Sequence, residues 1–198
     1  MKFSTLNIVL FDDFETLDAM GPAEVFGSLA DCSLRFVSRE GGMVTSAQGV
    51  KVLTEKSARG REPLLIPGGG GTRRLVDEAT YIRWLEEEAR AAACCMTVCT
   101  GSALLAKTGL LDGMKATTNK RAFDWVASLR AQVDWQRRAR WVHDGKFWTS
   151  SGVSAGMDMA LAVVAHAYGV AEAEGLAEKM EYCWHRDPHD DPFARRTE

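Results

Sequence analysis

The chain has 198 residues, enough for one α/β domain with a sizeable core and short for two. Hydrophobic residues make up 46% and charged residues 26%, a balance that argues against a disordered or membrane-embedded chain. The formal charge of -3 supplies no basic field for a nucleic-acid backbone, so "RRAR" (137–140) and "ARR" (194–196) are expected to be solvated surface.

The opening "MKFSTLNIVLFDD" has a short apolar run broken at once by acids, and it lacks the apolar core and cleavage site of a signal peptide. No later run approaches the ~20 apolar residues of a membrane span, so a cytoplasmic location without a membrane partner is expected. "LNIVLF" (6–11) reads as a buried strand, and "DAMGPAEVFGSL" as a following helix with Pro22 near its start. "SLRFVS" (33–38) is a second strand, and "MVTSAQGVKVLTEK" (43–56) a pair of short strands around Gly49. "PLLIPGGGG" (63–71) is an apolar strand that breaks at Pro67 into four glycines. The spacing of "LVDEATYIRWLEEEARAA" (75–92) predicts one exposed amphipathic helix.

"ACCMTVC" resumes the strand pattern and "GSALLAKTGLL" the helix pattern. Then follow "KATTN" (strand), "RAFDWVASLRAQ" (helix), and a hairpin or adjacent strands around Asp144-Gly145. The last elements are a helix over 154–169, with Ser154 as N-cap and Gly169 as C-cap, and another from about Val170 to Tyr182. Strands alternating with helices predict a mostly parallel sheet covered on both faces, in a single domain over 1–198. In such sheets reactive groups collect at the carboxyl ends of the strands, where "PGGGG" and "CTGS" fall.

Five cysteines form an odd count without disulfide-framework spacing, so free thiols are expected. Cys94 and Cys95 alternate across a strand and read as core, while Cys32 and Cys183 have no identifiable partner. Cys99 differs, because it sits between a buried strand and a helix start. There, backbone N–H groups and the helix dipole would lower a thiol pKa from about 8.5, although free cysteine is also among the most buried residue types. The glycine run adds backbone donors of the kind an oxyanion hole requires.

"LFDDFETLDAMGPAEVF", "LLIPGGGG", "VCTGSALLAKTGLLDGMKATTN" and "TSSGVSAGMDMAL" resemble the signature segments of the ThiJ/PfpI superfamily, in order and at similar spacing. The resemblance covers roughly residues 5–170. It implies a flavodoxin-like three-layer sandwich with a nucleophile elbow at Cys99, usually homodimeric. The isocyanide hydratase branch matches best, in "LD…GP" at Asp18, in "VCTGS" at Cys99 and Thr100, and in "ATT" at 116–118. That branch implies an aspartate at Asp18 working with Cys99 and Thr100; other branches carry a glutamate there.

The peptidase-like members place a histidine directly after the cysteine, and here Thr100 follows. His143, His166, His185 and His189 read as structural or surface residues, and "HRDPHDDPF" mixes hard and borderline ligands, so neither a metal nor a cofactor is expected. The expected reaction is hydration of a small electrophile, an isocyanide, with Asp18 and Cys99 sharing a proton as a coupled pair. Thr100 would hydrogen-bond the acid, and the Gly69 and Thr100 N–H groups, with Gly70 and Asn119, would line the oxyanion and substrate site. One departure stands out: the branch usually continues "ATT" with His-Trp, whereas this chain has Asn119-Lys120. Rival expectations are glyoxalase or deglycase chemistry on small carbonyls, and a cysteine redox sensor. Related domains occur fused to helix-turn-helix regulators, but no such module is expected within this chain.

Overall fold

The computed structural model describes residues 2–194; Arg195 and Arg196 of the expected basic tail lie outside them. Its sheet is built from β1 (Thr5–Val9), β2 (Ser33–Ser38), β3 (Gly42–Thr45), β4 (Lys51–Lys56), β5 (Leu64–Ile66), β6 (Cys95–Val98), β9 (Trp141–Asp144) and β10 (Phe147–Ser150), in the order β3-β4-β2-β1-β5-β6-β10-β9. Pairings from β4 through β10 are parallel, and the edge strands β3 and β9 run antiparallel to their neighbours. Every residue of β5 and β6 is buried, so helices must cover both faces. On one side α1 (Thr16–Gly27), α6 (Ala155–Tyr168) and α7 (Val170–Lys179) pack together; α2 (Thr72–Leu75), α3 (Ala79–Ala91), α4 (Gly101–Lys107) and α5 (Phe123–Leu129) form the other group. This is the expected flavodoxin-like three-layer α/β fold.

Several boundaries differ from the sequence reading for local reasons. Helix α1 begins at Thr16, so Pro22 lies inside it rather than at its start, and Asp18 stands in its first turn. The predicted helix over 75–92 is divided, because Glu78 takes extended backbone (φ -85°, ψ 90°) between α2 and α3. The "KATTN" strand shrinks to β7 (Lys115–Ala116), which pairs with the short β8 (Asp134–Trp135). Beyond it the Thr117 N–H donates to Thr149 Oγ1 at 2.8 Å and the Thr118 hydroxyl to the Cys99 carbonyl at 2.9 Å, which pulls the chain toward the β6 corner. Ser154 stands at the N-cap of α6 without a side-chain cap bond, whereas Gly169 ends that helix at φ 103° as expected.

Strand order reverses at β1: the chain goes first to β2 on one side and later to β5 and β6 on the other. The loops after β1, β5 and β6 therefore meet at one crevice beyond their carboxyl ends. Among the described residues no helix is long and apolar enough to cross a membrane.

Candidate active site

Three corners converge at this crevice. Cys99 follows the last residue of β6 with φ 57°, a left-handed conformation that a residue with a Cβ adopts at a cost. The β10 end holds the corner, since the Cys99 N–H lies 3.0 Å from the Ser151 carbonyl and 3.2 Å from that of Ser150. The Ser102 hydroxyl donates to the Cys99 carbonyl at 3.0 Å. This is a sharp strand-to-helix turn of the kind the sequence led one to expect at Cys99.

The second corner is the glycine loop after β5. The Gly68 N–H donates to Asp18 Oδ2 at 2.9 Å. A Cβ on Gly68 would stand 2.6 Å from the Thr100 nitrogen, 2.7 Å from Thr100 Oγ1 and 2.8 Å from Asp18 Oδ2, so only a glycine lets these groups close around that point. Gly69, at φ 130°, donates its N–H to Thr100 Oγ1 at 3.1 Å. That corrects its expected role as a free oxyanion donor. Thr100 is corrected likewise: its hydroxyl is held by Gly69 and by the Thr72 hydroxyl at 3.0 Å, not by Asp18.

Asp18 is 0% exposed and Cys99 7%, and both pay for their burial electrostatically. Burial raises the Asp18 carboxyl to about 7, helped by the nearby charge of Glu15 and opposed by the Gly68 N–H, the Cys99 thiol and the Val153 N–H. Asp18 Oδ1 is buried without a formed hydrogen bond. The expected lowering of the Cys99 pKa is also corrected. Burial, then the Asp18 charge, push the thiol up, while the Thr100 N–H and the Asn119 and Thr100 side chains favour the thiolate. The pair resists losing both protons, so the singly protonated state dominates above the Asp18 titration.

Asn119 reaches the sulfur because its Oδ1 caps the short 3-10 turn Lys120–Ala122, accepting from the Arg121 and Ala122 N–H groups at 2.9 and 3.1 Å. Lys120 turns away from the cleft. Its Nζ is buried against Thr117 Oγ1 at 2.9 Å and the Ala139 carbonyl, 3.9 Å from Asp191, and desolvation lowers it to about 8. A cleft of about 490 Å³ opens above Cys99; Gly69, Gly70, Thr100 and Asn119 line it, as do Glu15, Arg73, Arg121 and Val153.

Sequence reasoning missed the last four. Val153, at φ 45°, is an unusual conformation for a β-branched residue. Its signal was the "SSGVSAG" segment, read as a signature without a residue being singled out. The basic group 137–140 also needs correction: Arg140 is buried, with Nε 2.7 Å from Asp158 Oδ2, and Asp191 of the tail lies 3.8 Å from its guanidinium. The histidines stay outside the cleft. His143 stacks on Trp148 at 3.8 Å, and His185 Nε2 lies 2.9 Å from the Asp190 carbonyl.

Comparison with known proteins identifies the family and supports the fold. The sequence profile described as the DJ-1/PfpI family matches residues 5–166. Isonitrile hydratase from Pseudomonas putida is 31% identical over 180 residues, which span 89% of this chain and 78% of that protein. The HTH-type transcriptional regulator GbdR of Pseudomonas aeruginosa is 25% identical over 90% of this chain, which spans 50% of the regulator's length. Among solved structures, a ThiJ/PfpI family protein from Pseudomonas syringae superposes with a TM-score of 0.83 at 28% identity, covering 92% of this chain and 76% of that one.

Proposed function

The chain belongs to the DJ-1/PfpI family, and from that premise we propose that it hydrates a small isocyanide to an N-substituted formamide through a thioimidate on Cys99. The observation that carries this reading is a buried aspartate, not a glutamate, sharing the glycine corner with the cysteine. Similarity to isonitrile hydratase supports the same chemistry. The protein acts in the cytoplasm as a homodimer on a small molecule, with no nucleic-acid or membrane partner and no metal or cofactor.

The chemistry starts from the singly protonated pair. The thiol proton passes to Asp18, the isocyanide carbon accepts the sulfur electron pair, and Asp18 delivers that proton to the same carbon, which forms the C–S and C–H bonds of a thioimidate. The Asp18 carboxylate then takes a proton from water as the oxygen adds to the thioimidate carbon, and passes it to the substrate nitrogen. The hydroxyl proton of the tetrahedral adduct returns to Asp18 as the C–S bond breaks. Formamide leaves, and the pair again holds one proton. Asn119 and the Thr100 N–H, which favour the thiolate, hold the leaving sulfur.

The test is formamide formation from a simple alkyl or aryl isocyanide by wild type, Cys99→Ala and Asp18→Asn. Cys99→Ala should abolish turnover, and Asp18→Asn should lower kcat by about 10²–10⁴. The wild-type kcat/KM should fall as pH drops below about 7, where Asp18 takes up the pair's second proton. Consumption of methylglyoxal without formamide would replace hydration by carbonyl chemistry. Inertness to both, with selective peroxide oxidation of Cys99, would put sensing first.

A further inference from the structure

The mouth of the Cys99 cleft carries two arginines, Arg73 and Arg121, and both are exposed. Among the described residues neither guanidinium has a carboxylate within salt-bridge distance, although arginines elsewhere on the surface, such as Arg74 and Arg90, are paired with glutamates. Arg73 instead lies 3.6 Å over the ring of Trp125. A guanidinium stacked on a ring uses its face and leaves the N–H donors of its edge free for an oxyanion. Arg121 is anchored through its backbone, since its main-chain N–H donates to Asn119 Oδ1 at 2.9 Å, on the residue whose side chain faces the sulfur. Glu15 also lines the mouth, and its Oε1 already accepts from Gln48 Nε2 at 2.9 Å; the Asp13 carboxylate stands at the edge beside Gly70. The rim therefore presents two guanidinium groups without ion-pair partners among the described residues above the Asp18–Cys99 pair.

We infer that the substrate is anionic: a small molecule that places its reactive carbon at Cys99 and a carboxylate between Arg73 and Arg121. This rests on the hydration reading for the reactive group but not for the anion. A planar guanidinium edge matches a carboxylate, and a cleft of about 490 Å³ suits a short isocyano acid.

The test compares an ω-isocyano carboxylate with a neutral alkyl isocyanide of matched length. Wild type should favour the carboxylate in kcat/KM by about tenfold or more, a preference that shrinks with added salt. Arg73→Gln and Arg121→Gln should each move the ratio toward unity. A second arm needs no turnover: hexanoate should bind more tightly than hexanamide by NMR titration, and each substitution should erase the difference. Should no isocyanide react while the hexanoate preference behaves in this way, the hydration reading falls and the anion site stands. Hexanoate binding no tighter than hexanamide, including no binding of either, overturns the anion site, as does a preference that survives both substitutions.

Discussion

Asp18 is pulled in two directions, because its surroundings desolvate it while two backbone N–H groups favour its charge, and desolvation wins. An unfolded aspartate titrates near 3.9, whereas here the carboxyl is raised to about 7. Between those values the folded chain binds the proton and the unfolded chain does not. The stability Asp18 contributes is thus fully present below about pH 4 and lost as pH rises through about 7. Asp18→Asn removes the charge, so at pH 8 the variant should be more stable than wild type by about 2 kcal/mol or more, a Tm gain of about 5 °C or more. The gain should vanish at pH 4. Thermal melts at the two pH values check this, and a lower Tm for the variant at pH 8 would refute the desolvation account. Such a stabilised, inactive variant is what a strained reactive pair leads one to expect. That Cys99 sits on a sharp strand-to-helix corner was readable from an apolar strand running into Thr-Gly-Ser. The direction of its pKa was not, because the burial that raises it is a product of the fold and the charge that adds to it comes from Asp18, far away in the sequence.

At the scale of elements, the site is a meeting of three turns, and the glycine loop keeps them at the right separation. The run "PGGGG" announced a close backbone approach, but not which glycine makes it or to what. Gly68 is the spacer between Asp18 and Thr100, and Gly69 spends its N–H on Thr100 Oγ1. Pattern reading could not separate these roles, since four identical residues carry no internal signal. It also drew "KATTN" as a strand, although Thr117 and Thr118 send their bonds to Thr149 and Cys99 and so deliver Asn119 to the cleft. The consequence is specific. Gly68→Ala would set a methyl 2.6 Å from the Thr100 nitrogen, which backbone cannot yield without moving the elbow. We expect formamide formation to fall about 100-fold or more while far-UV circular dichroism stays near wild type. Wild-type turnover in this variant would show that the spacing of Asp18 and Thr100 is not critical.

At the scale of the whole molecule, the tail after α7 is bound to the fold by backbone hydrogen bonds and by buried charges. The Arg140 N–H donates to the Pro188 carbonyl at 2.8 Å, the Arg140 carbonyl accepts from Ser151 N–H at 2.8 Å, and Asp191 N–H donates to the Arg138 carbonyl at 3.0 Å. Asp158 Oδ1 accepts from the Tyr182 hydroxyl at 3.1 Å and the His185 N–H at 2.9 Å. Arg140 and Lys120 balance Asp158 and Asp191 in the interior, so the cluster is neutral as long as every member is present. None of this was legible in "RRAR", where a run of basic residues reads as solvated and the acidic partners lie in other elements. Arg140→Leu would leave two buried carboxylates facing a single lysine. Breaking a buried pair in this way costs about 3–5 kcal/mol, a Tm loss on the order of 6–20 °C for a chain of this size. Arg74→Leu, which breaks the exposed 2.9 Å pair with Glu78, should cost less than about 1 kcal/mol. The two melts measured side by side decide the matter: a small, equal shift in both would mean that the tail is held by its apolar and backbone contacts, and that the buried charges could be replaced without loosening the Ser151 corner that carries Cys99.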